Sequence, residues 1–117
     1  MKLNPKLIPA IKSSLVLNTT YLGTPDINSV VRSGNVVEII LRAPVISNIP
    51  NNDIIATLPY KPSNESTDAA GIGGRYNIES FSWFFLNNSG VIKSGRGFTT
   101  SKDKYIHIHF TYITGDA

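Results

Sequence analysis

The chain has 117 residues, no cysteine and a formal charge of +3, from 11 Lys and Arg against 8 Asp and Glu. This length fits one domain, which buries roughly two thirds of its unfolded surface and needs no disulfide. The absence of cysteine excludes a thiol nucleophile and Cys-based zinc or iron–sulfur sites. Because the basic residues form no run, we expect no nucleic-acid partner.

The N-terminal region predicts no targeting segment. Pro5 and Pro9 interrupt its short apolar run, and no stretch reaches the roughly twenty apolar residues of a membrane span. We expect residues 1–28 to form an N-terminal arm and a first strand, with that strand at residues 14–22. Residues 29–117 are expected to complete the same single domain as a β-sandwich.

A hairpin is predicted next, at Ile27–Arg32 and Asn35–Arg42, because Gly34-Asn35 is typical of a tight turn. Alternation in the second arm places one apolar set on the core face, namely Val37, Ile39 and Leu41.

The apolar run from Ile54 ends at Pro59 and Pro62, each of which removes an amide donor from a sheet ladder. Residues 64–74 then combine polar residues with three glycines and show no periodicity. The sequence therefore predicts that this strand ends here and that a long loop follows.

An aromatic strand is predicted at Arg75–Leu86, followed by a hairpin turn at residues 87–90 and a further break at residues 94–97. Both faces of this strand are apolar, so we expect one to pack on the core and the other on a second sheet or another subunit. The two faces carry Phe81, Trp83 and Phe85 on one side, and Ser82, Phe84 and Leu86 on the other.

The last strand, predicted at Lys104–Thr114, has the clearest alternation in the chain. One face carries Ile106, Ile108, Phe110 and Tyr112, and the other carries Tyr105, His107, His109 and Thr111. Strands about ten residues apart with turns between them and no helical period predict an all-β fold. We expect an antiparallel β-sandwich or jelly-roll-like barrel.

The order of several short segments resembles the head domain of tailed-bacteriophage receptor-binding proteins, which end tail fibres and baseplates of phages of Gram-positive bacteria. The resemblance spans residues 29–114, most of the chain. It is carried by Ser33–Val37, Ile55–Ser63, Asn88–Ile92, Tyr105-Ile106 and Thr111–Thr114.

The resemblance implies a β-sandwich head, usually a homotrimer, that binds saccharide on the host surface at the distal end of the virion's tail without catalysis or a cofactor. The matched residues form the framework, so they do not identify ligand contacts. From the residue types that bind sugars, namely aromatic rings and hydrogen-bonding side chains near loops, we predict a saccharide site. Its candidate residues are Trp83, Tyr76, Arg75, His107, His109, Asp103 and Tyr60.

Two other interpretations remain open. One is a structural trimerising baseplate or tail module without a ligand. The other is a small metal-dependent enzyme, because His107 and His109 share a strand face at a spacing that metal sites use. A third ligand would come from a carboxylate such as Asp53, Asp103 or Glu79.

Overall fold

A computed structural model describes residues 10–95 and 102–117. Within these ranges the chain forms nine β-strands and no helix, and every strand pair is antiparallel. The predicted all-β antiparallel fold is confirmed. The strands are β1 (Ile11–Ser13), β2 (Val16–Leu17), β3 (Ile27–Ser33), β4 (Val36–Pro44), β5 (Ile54–Thr57), β6 (Ser66–Gly73), β7 (Ile78–Asn87), β8 (Val91–Ser94) and β9 (Tyr105–Ile113).

The nine strands form a single sheet in the order β1-β3-β4-β9-β6-β7-β8-β5-β2. Its two edge strands, β1 and β2, are consecutive in the chain and are separated only by Ser14 and Leu15. Because adjacent Cα atoms are about 3.8 Å apart, Ser13 and Val16 lie within about 11 Å of each other. The sheet therefore curls into a half-barrel whose two edge strands are joined by this short link, and we call the junction the seam.

Asn28, on β3, supplies the hydrogen bonds that the ladder lacks at the seam. Its Oδ1 accepts from the backbone N–H of Leu15 (2.8 Å), and its Nδ2 donates to the Leu15 carbonyl (2.9 Å). Leu15 is only 3% exposed, so its backbone polar groups need these partners.

The core lies inside the curl. The predicted core face of β4 is confirmed, since Val37, Ile39 and Leu41 are at most 1% exposed. The predicted apolar face of β9 is also buried, and its Phe110 packs against Phe84 of β7 with ring centroids 6.4 Å apart.

Both predicted hairpins are confirmed. β3 and β4 are joined by Gly34-Asn35, and the positive φ falls on Gly34 alone (60°), as in a type II′ turn. The turn between β7 and β8 has its positive φ at Gly90 (95°). Residues 1–9 of the predicted N-terminal arm and residues 96–97 of the predicted break lie outside the described residues.

The prediction of one strand at residues 14–22 was wrong. The chain leaves β1 and β2 by residue 17 and turns, with the N–H groups of Tyr21 and Leu22 both donating to the Asn18 carbonyl. The β-branched residues in this segment favoured a longer strand, but the chain here changes pairing partner from β3 to β5.

The predicted loop at residues 64–74 was also wrong, because Ser66–Gly73 is β6 and pairs with both β7 and β9. Atoms of the neighbouring strand and of the residue before it approach the backbone of β6 so closely that a side chain would not fit at two positions. A Cβ at Gly71 would lie 2.6 Å from Ile78 Cδ1, and one at Gly73 would lie 2.3 Å from the Asn77 carbonyl oxygen. The glycines therefore mark crowding within a sheet rather than a loop.

Candidate functional site

The outer face of β7 carries a row of aromatic side chains, Phe81, Trp83 and Phe85, which we call the aromatic stripe. Phe81 is 69% exposed, Trp83 is 55% exposed and Phe85 is half-buried. Residues two apart on a strand are about 6.7 Å apart, so the stripe is roughly 13 Å long. Trp83 therefore lies outside the core of its own chain, because β7 directs its alternate residues, Phe84 among them, into the core.

One end of the stripe, at Phe81, adjoins a group of polar residues that we call the arginine end. Cross-strand register places Phe81 opposite Gly71, Gly71 opposite His107, and His107 opposite Arg42, all on the outer face. The group comprises Asp26, Arg42, Arg75, Tyr76 and His107.

Asp26 is the centre of the arginine end. Arg75 donates to it through Nε (2.7 Å) and Nη2 (3.0 Å), and Arg42 Nε donates at 3.2 Å. The hydrogen bond from Arg75 is the main reason that the pKa of Asp26 lies below its ordinary value. Both guanidinium carbons also lie near the ring centroid of Tyr76, at 5.1 Å for Arg42 and 5.4 Å for Arg75.

The two histidines have separate partners. His107 Nε2 lies 2.7 Å from the carbonyl oxygen of Gly74, so this nitrogen carries the proton and donates. His109 Nε2 lies 3.0 Å from Glu38 Oε2. Across residues 10–95 and 102–117, no group of three His, Cys, Asp or Glu side chains is placed to hold a metal ion.

The carboxylates considered as a third metal ligand have other surroundings. Asp53 accepts a short hydrogen bond from the Tyr21 hydroxyl, and Glu79 pairs with Lys104 Nζ at 3.1 Å. Asp103 occupies an exposed turn with φ at 75°, where its backbone N–H donates to the Val45 carbonyl.

The other end of the stripe, at Phe85, opens into a depression of about 470 Å³ that we call the hollow. Thr67 on β6 and Lys93 on β8 lie directly opposite Phe85 and therefore share its outer face. The lining comprises Asn52, Glu65, Ser66, Thr67, Phe85, Leu86, Asn87 and Lys93. It combines an aromatic surface with amide, hydroxyl, carboxylate and ammonium groups.

The structure brings together four of the seven predicted site residues: Trp83 lies in the stripe, and Arg75, Tyr76 and His107 lie at the arginine end. His109 lies one residue pair further along the same face of β9. Tyr60 is elsewhere, near the opposite end of β9, where its carbonyl accepts from the Tyr112 hydroxyl (2.7 Å) and its ring lies against Arg32.

The hollow was not predicted from the sequence. The turn at residues 87–90 fixes the pairing of Phe85 with Lys93, so the sequence could have predicted that these two side chains share a face. The positions of Glu65 and Thr67 could not be predicted in this way, because the sequence analysis assigned their segment to a loop.

No protein-family model matches the chain, and a search of curated proteins found no match. The residues that the structure describes include no helix that could span a membrane.

The fold and the site define a class: an all-β domain with an exposed aromatic stripe between two polar ends.

Proposed function

We propose that this chain is a non-catalytic host-recognition domain of a phage tail that binds a bacterial surface saccharide as a homotrimer. The observation that carries the proposal is the aromatic stripe, with Trp83 55% and Phe81 69% exposed side by side on one strand. The resemblance of the chain to phage receptor-binding heads gives the biological setting.

Exposed aromatic rings in a row suit a saccharide. Sugar rings have an apolar C–H face that packs on an aromatic ring, while their hydroxyls need hydrogen-bonding partners at the rim. A contiguous exposed apolar patch on a small domain usually marks a binding surface. The stripe supplies the apolar contact, and the groups at its two ends supply donors and acceptors.

Weak binding at one site is sufficient for attachment. A shallow site with a few aromatic contacts binds at roughly millimolar to micromolar Kd. Three copies in one head, and several heads on one virion, increase the overall affinity through effective concentration.

The test is binding of the purified protein to immobilised wall polysaccharides from a panel of Gram-positive bacteria. We expect Trp83→Ala to weaken binding about tenfold or more, because the central ring of the stripe is lost. Val36→Ala is the matched control. Val36 is also apolar and exposed on the outer face, but it lies six residues from Arg42 along β4, roughly 20 Å.

Thermal unfolding of both variants should match the parent protein, since both side chains are exposed. Equal polysaccharide binding by the parent and Trp83→Ala would contradict the proposal, as would the absence of binding to every polysaccharide at millimolar sugar.

The stripe also favours a second candidate function, a structural trimerising tail module in which it packs against a sister chain. Mass in solution combined with acrylamide quenching of Trp83 fluorescence separates the two. A trimer with quenchable Trp83 supports saccharide binding, whereas a trimer with protected Trp83 supports the structural module. A monomer would contradict trimeric assembly in both.

A further inference from the structure

Several polar side chains of the hollow have no partner within the protein, although Asn87 Oδ1 accepts a hydrogen bond from the Ser89 N–H (2.8 Å). Within the described part of the chain, the side chains of Glu65, Thr67 and Lys93 form no hydrogen bond or ion pair, and neither does the carboxamide of Asn52. These groups therefore retain their full capacity to bind a ligand.

The arginine end differs in this respect. Its carboxylate is shared by two guanidinium groups, its histidine donates to a backbone carbonyl, and neighbouring Lys104 pairs with Glu79. A ligand there would have to compete with contacts that already exist. A ligand in the hollow could bind Glu65, Thr67 and Lys93 without displacing an existing side-chain contact.

We infer that the hollow is the specificity-determining subsite for an uncharged sugar residue, packed on Phe85 and hydrogen-bonded by Glu65, Thr67 and Lys93. This inference rests on the proposed saccharide-binding function and adds to it the class of sugar and the place where it is recognised.

The charge of the hollow selects against an anionic sugar. Among the residues that the structure describes, Lys93 and Glu65 are the only charged ones in its lining, and their charges cancel. A carboxylate or phosphate in the hollow is attracted by Lys93 and repelled by Glu65, so it gains no net charge attraction to offset the loss of its hydration. Neighbouring hydroxyls of a neutral ring can instead donate to Glu65 and accept from Lys93.

The size of the hollow fits a mono- or disaccharide. Its volume of about 470 Å³ lies towards the lower end of small-molecule sites, roughly 300–1,000 Å³. Further sugar residues of a longer chain would extend along Trp83 and Phe81. The hollow thus recognises one residue of the saccharide, and the stripe adds apolar contact with the next.

The experiment titrates ¹⁵N-labelled protein with glucose, galactose, rhamnose and N-acetylglucosamine, and with glucuronate and glucose 6-phosphate as anionic probes. We expect at least one neutral sugar to bind with millimolar Kd and to shift the amide signals of Thr67 and Lys93. Anionic probes should bind about tenfold more weakly or not at all. Glu65→Gln leaves only a neutral acceptor and Lys93→Met removes the ammonium donor, so each should weaken neutral-sugar binding about tenfold.

Lys12→Met serves as the control, because Lys12 is an exposed lysine on β1 at the edge of the sheet. It should leave sugar binding unchanged. Asn52→Gly is a further variant that removes the carboxamide while keeping the left-handed backbone, whose φ is 61°. We expect it to weaken binding as well.

The inference is overturned if the anionic probes bind as tightly as the neutral sugars, if the shifts map to the arginine end, or if both charge variants bind normally. Loss of polysaccharide binding in Trp83→Ala with normal binding in Glu65→Gln and Lys93→Met would refute the hollow alone. Absence of binding to any saccharide would refute the proposed function together with the hollow.

Discussion

At the scale of single residues, Asp26 shows how the arginine end is held. Its carboxylate is 15% exposed and accepts hydrogen bonds from two guanidinium groups on different parts of the chain. Charge-assisted bonds of this kind favour the ionised carboxylate and fix the planes of both guanidinium groups. They also position Arg42 and Arg75 beside the Tyr76 ring, so one carboxylate organises this end of the outer face.

We predict that Asp26 contributes to acid sensitivity. Because its pKa is lowered in the folded state from an ordinary 3.8, the unfolded chain binds this proton more readily. The contribution to stability is present above pH 3.8 and is lost as the pH falls through the folded-state pKa. In urea unfolding from pH 6 to pH 2, Asp26→Asn should therefore lose less stability on acidification than the parent protein.

The control for this experiment is Asp103→Asn, in the exposed turn before β9. This variant should follow the parent's pH dependence. An equally steep acid dependence in Asp26→Asn and the parent would show that the two arginines contribute nothing to acid sensitivity through Asp26.

At the scale of elements, β6 carries mostly small side chains, although the strands on its two sides, β7 and β9, carry large ones. It pairs with β7 over its whole length and with β9 only from Gly71 to Gly73. The Ile78 side chain covers Gly71 from the outer face, and a bulge between Ile72 and Gly73 shifts the register at this point. The glycines allow β7 to approach while its aromatic face remains outside.

We predict that Gly71→Ala destabilises the fold by about 1–3 kcal/mol, because its new methyl group would overlap Ile78. Ile78 is 49% exposed, so truncating it should cost little by itself. The double variant Gly71→Ala with Ile78→Ala should recover most of the loss, giving a coupling of about 1–2 kcal/mol in urea unfolding. If Gly71→Ala costs the same with either residue at position 78, the crowding does not arise from Ile78.

The sequence predicted those strands in which apolar and polar residues alternate and no close neighbour requires glycine. β4 and β9 followed directly from period two, since Val37 and Ile108 lie on strands with one apolar and one polar face. β6 could not be predicted, because Gly71 and Gly73 are selected by the approach of β7, which local composition does not reveal. The same error concealed half of the hollow, whereas Trp83 was identified because an apolar outer face is visible in the sequence.

At the scale of the whole molecule, the curled sheet depends on closure at the seam. β1 pairs with β3 and β2 pairs with β5, so one short segment joins the two edges. The ladder cannot continue through Leu15 at this change of partner, and the Asn28 carboxamide replaces it on both sides of the residue. The backbone of Leu15 at the seam therefore depends on the Asn28 side chain for both of its hydrogen bonds.

We predict that Asn28→Ala lowers the free energy of unfolding by about 2–4 kcal/mol, because a buried N–H and a buried carbonyl both lose their partners. Asn28→Asp keeps the acceptor for the Leu15 N–H but turns a carboxylate oxygen towards the Leu15 carbonyl, so it should also destabilise the fold at neutral pH. Asn88→Ala, in an exposed turn, is the control and should change stability by less than about 0.5 kcal/mol. A loss of that small size in Asn28→Ala would mean that the seam closes without the carboxamide.

The position of β9 has a consequence for synthesis on the ribosome. β9 follows all the other described strands in chain order, yet it lies in the middle of the sheet, between β4 and β6. Until Tyr105–Ile113 has left the exit tunnel, the nascent chain can form only separate partial sheets, with β4 and β6 each lacking a neighbour. Open strand edges invite pairing with other chains, so the slowest and most aggregation-prone stage of production should immediately precede the arrival of this strand.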